Sequence, residues 1–144
     1  MREARRGRSS QKWGEIMGFL KGFSEQIYGL LRIVAGFFFT CHGAQKLFGL
    51  FGGPHPDLPA AMAWFAGAIE LGTGVLIMIG LAAGPAAFLA SGLMAGAYFM
   101  VHQGSGLLPI ENHGELAALY SFVFLFIAAR GSGVLSVDAA RSGG

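Results

Sequence analysis

Four long apolar runs, separated by short polar stretches or stretches rich in glycine and proline, dominate the chain. They cover residues 27–50, 60–81, 85–101 and 116–129. A helix needs about 20 apolar residues to cross the hydrocarbon core of a bilayer. Each run is therefore predicted as a membrane-spanning helix, the fourth only if Asn112, His113, Glu115 and Arg130 lie in the interfaces. Gly52-Gly53-Pro54-His55-Pro56-Asp57 interrupts the chain after the first run. Gly84-Pro85 makes a tight turn with proline at the first helical position, and residues 103–112 read as a loop around Gly104, Gly106 and Pro109. Ahead of the first run, Trp13, Ile16, Met17, Leu20 and Phe23 recur at helical spacing. That stripe predicts a short amphipathic helix lying in the interface. The expected architecture is all-α, an integral membrane four-helix bundle of up-down topology. A basic N-terminal arm (1–26), a helical domain (27–138) and a short tail (139–144) make up the chain. No internal repeat is visible, so an inverted-repeat transporter is not signalled.

Composition changes the picture in one respect: it fixes the solvent. Hydrophobic residues make up 53% of the 144 and charged residues 12%, where a soluble domain carries about 25%. The mean hydropathy is +0.56. These values exclude a disordered chain, a nucleic-acid binder and an ordinary cytosolic enzyme, and leave the lipid bilayer as the natural partner. The net charge is only +2, yet Arg2, Arg5, Arg6, Arg8, Lys12 and Lys21 all precede the first run. The loops 51–59 and 102–113 contain no Lys or Arg, whereas Arg130 and Arg141 follow the last run. Basic residues stay on the cytoplasmic side, so both termini are expected there. No small-residue cleavage site follows the first run, which also contains Arg32, so the N-terminal segment is expected to be retained. Cys41 is the single cysteine and permits no internal disulfide.

Glycines read as packing positions. Gly29, Gly36 and Gly43 are seven apart on the first run, Gly67 and Gly74 repeat that interval on the second, and Gly92-x3-Gly96 marks the third. Small residues let helix backbones approach closely where lipid offers no hydrophobic drive.

The chemistry sits among the polar residues inside these runs. Glu70 falls at the centre of the second, where an ionisable group costs on the order of 3 kcal/mol to insert. It should face the bundle interior and have a partner. Arg32, His42 and Lys46 on the first run fall within an arc of about 80° at 100° per residue, on the face that carries Gly36, Phe39 and Gly43. Arg32 lies near the inner end and is expected to snorkel to the headgroups. The depth of an antiparallel neighbour places Glu70 nearest His42, with Lys46 next in reach. His42, Glu70 and Lys46 are thus the candidate catalytic residues, and Arg32 and Glu115 the structural or interface candidates. Ser91, Tyr98 and His102 share a face of the third run. Tyr98 and His102, with Glu115 at the outer entrance of the fourth, would line a cleft opening outward; helix-gluing hydrogen bonds are the plainer reading for Ser91 and Tyr98. A b-type haem is disfavoured because His42 lies about 12 Å deeper than His102 by helical rise. Glu111, His113 and Glu115 alternate in a way that spoils a shared metal site, so no metal is expected.

The string Phe39-Thr40-Cys41-His42-Gly43-Ala44-Gln45-Lys46-Leu47-Phe48-Gly49, followed by Phe51-Gly52-Gly53, resembles the signature of the DoxX family of small four-helix bacterial membrane proteins. Arg32 ahead of it, Ile69-Glu70-Leu71-Gly72 and Asn112-His113-Gly114-Glu115-Leu116-Ala117 resemble further family patterns, as does Gly131-Ser132-Gly133 through Ser136-Val137-Asp138. One departure is Ala82-Ala83-Gly84, where many relatives carry a basic residue. The resemblance implies a multi-pass protein of the bacterial inner membrane. Because the family is named with the small membrane subunit of thiosulfate:quinone oxidoreductase, it also implies a membrane component of a quinone-linked redox system. Quinone would be the ligand, no cofactor would be covalently bound, and a partner oxidoreductase or membrane complex would supply the electrons. A homodimer is compatible with the pattern. The competing reading is a non-catalytic anchor or assembly subunit whose polar interior is structural.

Overall fold

The computed structural model describes residues 14, 17–53 and 59–143. Trp13 and Ile16 of the predicted amphipathic stripe, the basic residues Arg2 to Lys12, and the stretch 54–58 lie outside the described residues. Four long helices and one short one follow in order: α1 (Ser24–Phe48), α2 (Ala60–Ile79), α3 (Ala83–Ala97), α4 (Glu115–Arg130) and α5 (Val137–Ser142). No strand occurs among the described residues. Residues 17–22 are also helical, with a break at Phe23 before α1 begins. Met17, Leu20 and Phe23, the described members of the stripe, are exposed.

α3 does not end at Ala97 but runs through a π-helical turn (Tyr98–His102) and a 3-10 turn (Gln103–Ser105). With that extension, three helices are long and apolar enough to cross a membrane: Ser24–Phe48, Ala60–Ile79 and Ala83–Ser105. α4, at 16 residues, rises only about 24 Å. It therefore falls short of the hydrocarbon thickness on its own, as its lower count of apolar residues foreshadowed.

Two helix pairs carry the packing, α1 on α2 and α3 on α4, and α2 joins them through α3. The first pair is a glycine seam. A Cβ added to Gly36 would lie 2.8 Å from the Gly74 carbonyl oxygen, and one on Gly43 would lie 2.8 Å from that of Gly67. A Cβ on Gly74 would lie 2.6 Å from the Thr40 nitrogen. The two backbones touch along two turns of each helix, and only glycine permits it. Gly29, the third of the α1 series, faces Val134 and Leu135 instead.

The second pair corrects the expectation drawn from Gly92-x3-Gly96. Nothing lies within 4 Å of a Cβ built on either residue. α3 instead buries Ala83, Ala86, Ala87, Ala90, Ser91 and Met94, a stripe at helical spacing displaced from the glycines. Ser91 Oγ donates to the Ser121 carbonyl of α4 at 2.8 Å, a helix-to-helix tie. Between the pairs, Phe39 of α1 packs on Phe124 of α4, ring centroids 4.6 Å apart, and Tyr120 stacks on Phe124 at 5.2 Å. Ile77 and Ile127 close this core.

The molecule's outer face is the inverse of a soluble protein's. Phe37, Phe38, Phe65, Phe88 and Phe122 all stand exposed while Arg32 and Glu70 are sealed inside. Such a continuous apolar exterior requires lipid around it.

The chain after α4 is not a loose tail. Gly80 ends α2 in the left-handed conformation (φ 70°), and Leu81 N–H reaches back to the Leu76 carbonyl at 3.0 Å, a closing motif that glycine makes without strain. The tail docks on this turn. Asp138 Oδ2 accepts from Ala82 N–H at 2.8 Å and from Ser132 Oγ at 2.6 Å, while Ser132 Oγ accepts from Ala83 N–H at 3.3 Å. These groups satisfy the first free N–H groups of α3, which its own N-cap, Ala82, cannot do. Asp138→Ala should therefore cost about 1 kcal/mol, read as a lower unfolding midpoint in mild detergent.

Candidate functional site

The site is built from the crossing of α1 and α2. Glu70 sits mid-way along α2 with 1% exposure, and its Oε1 forms an ion pair with Lys46 Nζ. Lys46 stands in the last turn of α1, where a cation is favoured by the carbonyl end of the helix. Gly67, one turn before Glu70, makes the approach possible: a Cβ there would lie 2.9 Å from Lys46 Cβ. The glycine leaves a trough along which the lysine stem runs inward. Glu70 Oε2 is buried and accepts no hydrogen bond from the described residues.

The depth of the α-carbons had placed Glu70 nearest His42. The structure gives the carboxylate's ion pair to Lys46 because helical side chains tilt toward the N-terminus of their own helix. On α1 that direction is inward, so a four-carbon stem carries its ammonium about one turn deeper than its Cα. His42 is half-buried on the same helix, one turn further in.

Tyr98 and His102 are brought together at the C-terminal end of α3, around Asn112. Tyr98 OH donates to the Leu107 carbonyl at 2.8 Å. Asn112 Nδ2 donates to the Gly106 carbonyl at 2.8 Å and more weakly to Tyr98 OH at 3.5 Å. Asn112 Oδ1 accepts from Gly114 N–H at 2.8 Å, and His102 Nδ1 lies 3.2 Å from the Asn112 carbonyl. With that carbonyl as partner, a neutral imidazole carries its proton on Nδ1 and presents a lone pair at Nε2. The π-helical turn from Tyr98 to His102 re-aims these side chains toward the loop. Asn112 is buried at 4% exposure, and its organising role was missed in the sequence, where it read as a flank of Glu115. An Asn among glycines, able to bond its own backbone two residues on, was the available signal. Asn112→Ala should free the 106–114 loop, raising its amide exchange by at least tenfold for a loss of about 1.5 kcal/mol. Glu115 is exposed in the first turn of α4, a favourable place for a carboxylate, and forms no ion pair with a described residue.

Arg32 corrects a further expectation. It does not snorkel to headgroups; it is fully buried. Its Nη1 donates to the carbonyls of Ile77 at 2.5 Å and Met78 at 2.9 Å, and Nη2 to that of Leu135 at 2.7 Å. The cation thus closes the carbonyl end of α2 and clasps the tail against it. Sequence reading missed this clasp because the tail's contribution comes from 103 residues away.

Comparison with known proteins places this geometry. The DoxX family profile matches residues 28–103, which include Arg32, His42, Lys46 and Glu70. An uncharacterized protein of Haemophilus influenzae is 35% identical over 128 residues, covering 85% of this chain and 96% of its own. A Bacillus subtilis protein named "Putative oxidoreductase CatD" is 32% identical over 113 residues, covering 76% of this chain and 82% of its own. No solved structure matches significantly. With a family profile over more than half its length and a relative 35% identical over 85% of it, this chain belongs to the DoxX family of membrane proteins.

Proposed function

We propose that the protein is the membrane component of a quinone-linked redox system in the bacterial inner membrane. Its four helices form an up-down bundle with both termini in the cytoplasm. A quinone head group binds beside the Lys46–Glu70 pair, between the first two helices. The observation that carries this reading is the pair itself, a carboxylate at mid-span whose second oxygen is buried without a partner among the described residues. Such a group is costly in a membrane and typical of proton-exchanging sites. Support for orientation comes from the basic residues at the α1 start and α4 end, against outer loops with none. The oxidoreductase name of the B. subtilis relative agrees with the chemistry.

Reduction of a quinone to a quinol takes two electrons and two protons. The electrons would come from a partner oxidoreductase, since no residue here carries them alone. Lys46 would donate a hydrogen bond to one carbonyl oxygen, Glu70 would exchange the proton, and His42 would relay it. Tyr98 and His102 would line the outward path. Binding of a short-chain ubiquinone or menaquinone analogue to the purified protein, followed by tryptophan quenching, tests this. Glu70→Gln, Lys46→Met and His42→Ala should each weaken it at least tenfold. Equal affinity in all four proteins would remove the site.

The glycine seam favours a second reading, in which the ion pair fastens α1 to α2 within a non-catalytic anchor. Glu70→Gln would then lower thermal stability and partner yield while quinone affinity, if any, stays unchanged.

A further inference from the structure

We propose that the groove at the N-terminal end of α1 is a binding site for one anionic phospholipid. The groove, about 390 Å³, is lined by Met17, Leu20, Ile27, Leu31 and Phe126, with Lys21, Ser24 and Arg130 also on its wall. Its volume falls within the range of about 300–1,000 Å³ that small-molecule clefts occupy.

Three features fit this ligand. From Ser24 to Leu31 the wall descends about 10 Å by helical rise, and the residue 17–21 segment continues it beyond the bend at Phe23. A single leaflet's hydrocarbon is about 15 Å deep, half the core thickness, so the apolar wall suits an acyl chain and its upper end lies at headgroup level. At that end Lys21 is exposed and pairs with no acidic group among the described residues. Arg130 lines the same groove, its guanidinium 4.5 Å from the Tyr28 ring centroid and its Nη2 committed to Glu25. Arginine carries five N–H donors, so the ion pair leaves others to meet a phosphate. Among the described residues, Glu25 is the carboxylate that pairs with Arg130. Finally, α1 begins here without a side-chain cap, since Phe23 offers none, and the positive end of a helix favours an anion. Phosphate at the cations and acyl chain in the groove make one occupant.

Titration of the full-length protein with dioleoylphosphatidylglycerol or dioleoylphosphatidylcholine, followed by native mass spectrometry, counts lipids one at a time. The first phosphatidylglycerol should bind at least tenfold more tightly than the first phosphatidylcholine, with later ones showing no preference. Lys21→Ala, which disturbs no described contact, should reduce that preference at least threefold. Leu31→Trp, which fills the groove and leaves both cations in place, should abolish the tight first event. Glycerol phosphate at millimolar concentration should not compete. Equal binding of the two lipids, an unchanged preference in both variants, or competition by glycerol phosphate would each overturn the assignment.

Discussion

Replacing Gly43 with valine will drive α1 away from α2 and lower the stability of the protein by about 3 kcal/mol, at the upper end of overpacking costs. The reason is what the new side chain meets. A Cβ at Gly43 would lie 2.7 Å from Leu71 Cα and 2.8 Å from the Gly67 oxygen, both backbone atoms in the middle of a helix. A flexible side chain could turn aside, whereas a helix backbone must move as a body. Gly36→Val meets the Met78 and Gly74 backbone and should behave alike. Unfolding in mixed detergent micelles with rising dodecyl sulfate, followed by circular dichroism, measures the loss. Gly92→Ala is the internal control. Open space surrounds that position, so the change should remain within about 0.5 kcal/mol, the range of ordinary surface substitutions. Comparable losses at Gly43 and Gly92 would mean that the helices are not seamed as described.

Arg32→Met should be nearly as damaging, for an electrostatic reason. The methionine fills much of the volume but donates nothing. The carbonyls of Met78 and Leu135 lose a charge-assisted donor while that of Ile77 keeps the Gly80 N–H at 3.2 Å, and each buried acceptor left unpaired costs about 1–3 kcal/mol. Partial relaxation of the tail brings the expected total to about 3 kcal/mol. The change has a distinctive location: amide exchange in residues 132–142 should rise at least a hundredfold, while α1 and α2 near Gly43 stay protected. Arg32→Lys should recover part of the protection, because an ammonium can satisfy two carbonyls but not span the set. Uniform loss of protection across the molecule would refute the clasp.

Much of this architecture was legible in the amino-acid pattern, for physical reasons that differ by region. The helices begin and end within about four residues of the apolar runs, because the glycine, proline and polar stretches between the runs interrupt them. The seam through Gly36, Gly43, Gly67 and Gly74 followed from spacing, since steric exclusion acts on residues whose side chain is missing. The Gly92-x3-Gly96 spacing misled for the same reason: small residues permit contact without demanding it, and the neighbouring stripe of Ala83, Ala86, Ala87, Ala90 and Ser91 made the actual interface. At the site, the buried Glu70 and its cationic face were readable, and the choice between His42 and Lys46 was not. Cα depth is set by helical rise, but the reach of a lysine stem depends on the trough that Gly67 opens in another helix. The clasp was illegible because its partners are backbone carbonyls, which every residue possesses and no sequence pattern marks, and of the Asn112 hub only the Asn among glycines was a signal.

The clasp has a consequence for how the protein comes into being. Arg32 enters the membrane with the first helix, yet the Leu135 carbonyl it grips is made about a hundred residues later. Throughout synthesis its guanidinium must borrow partners from water or lipid phosphate near the leaflet surface, and only the finished chain draws it under cover. A product cut short before the final segment would keep that cation at the surface and leave α3 without its borrowed cap.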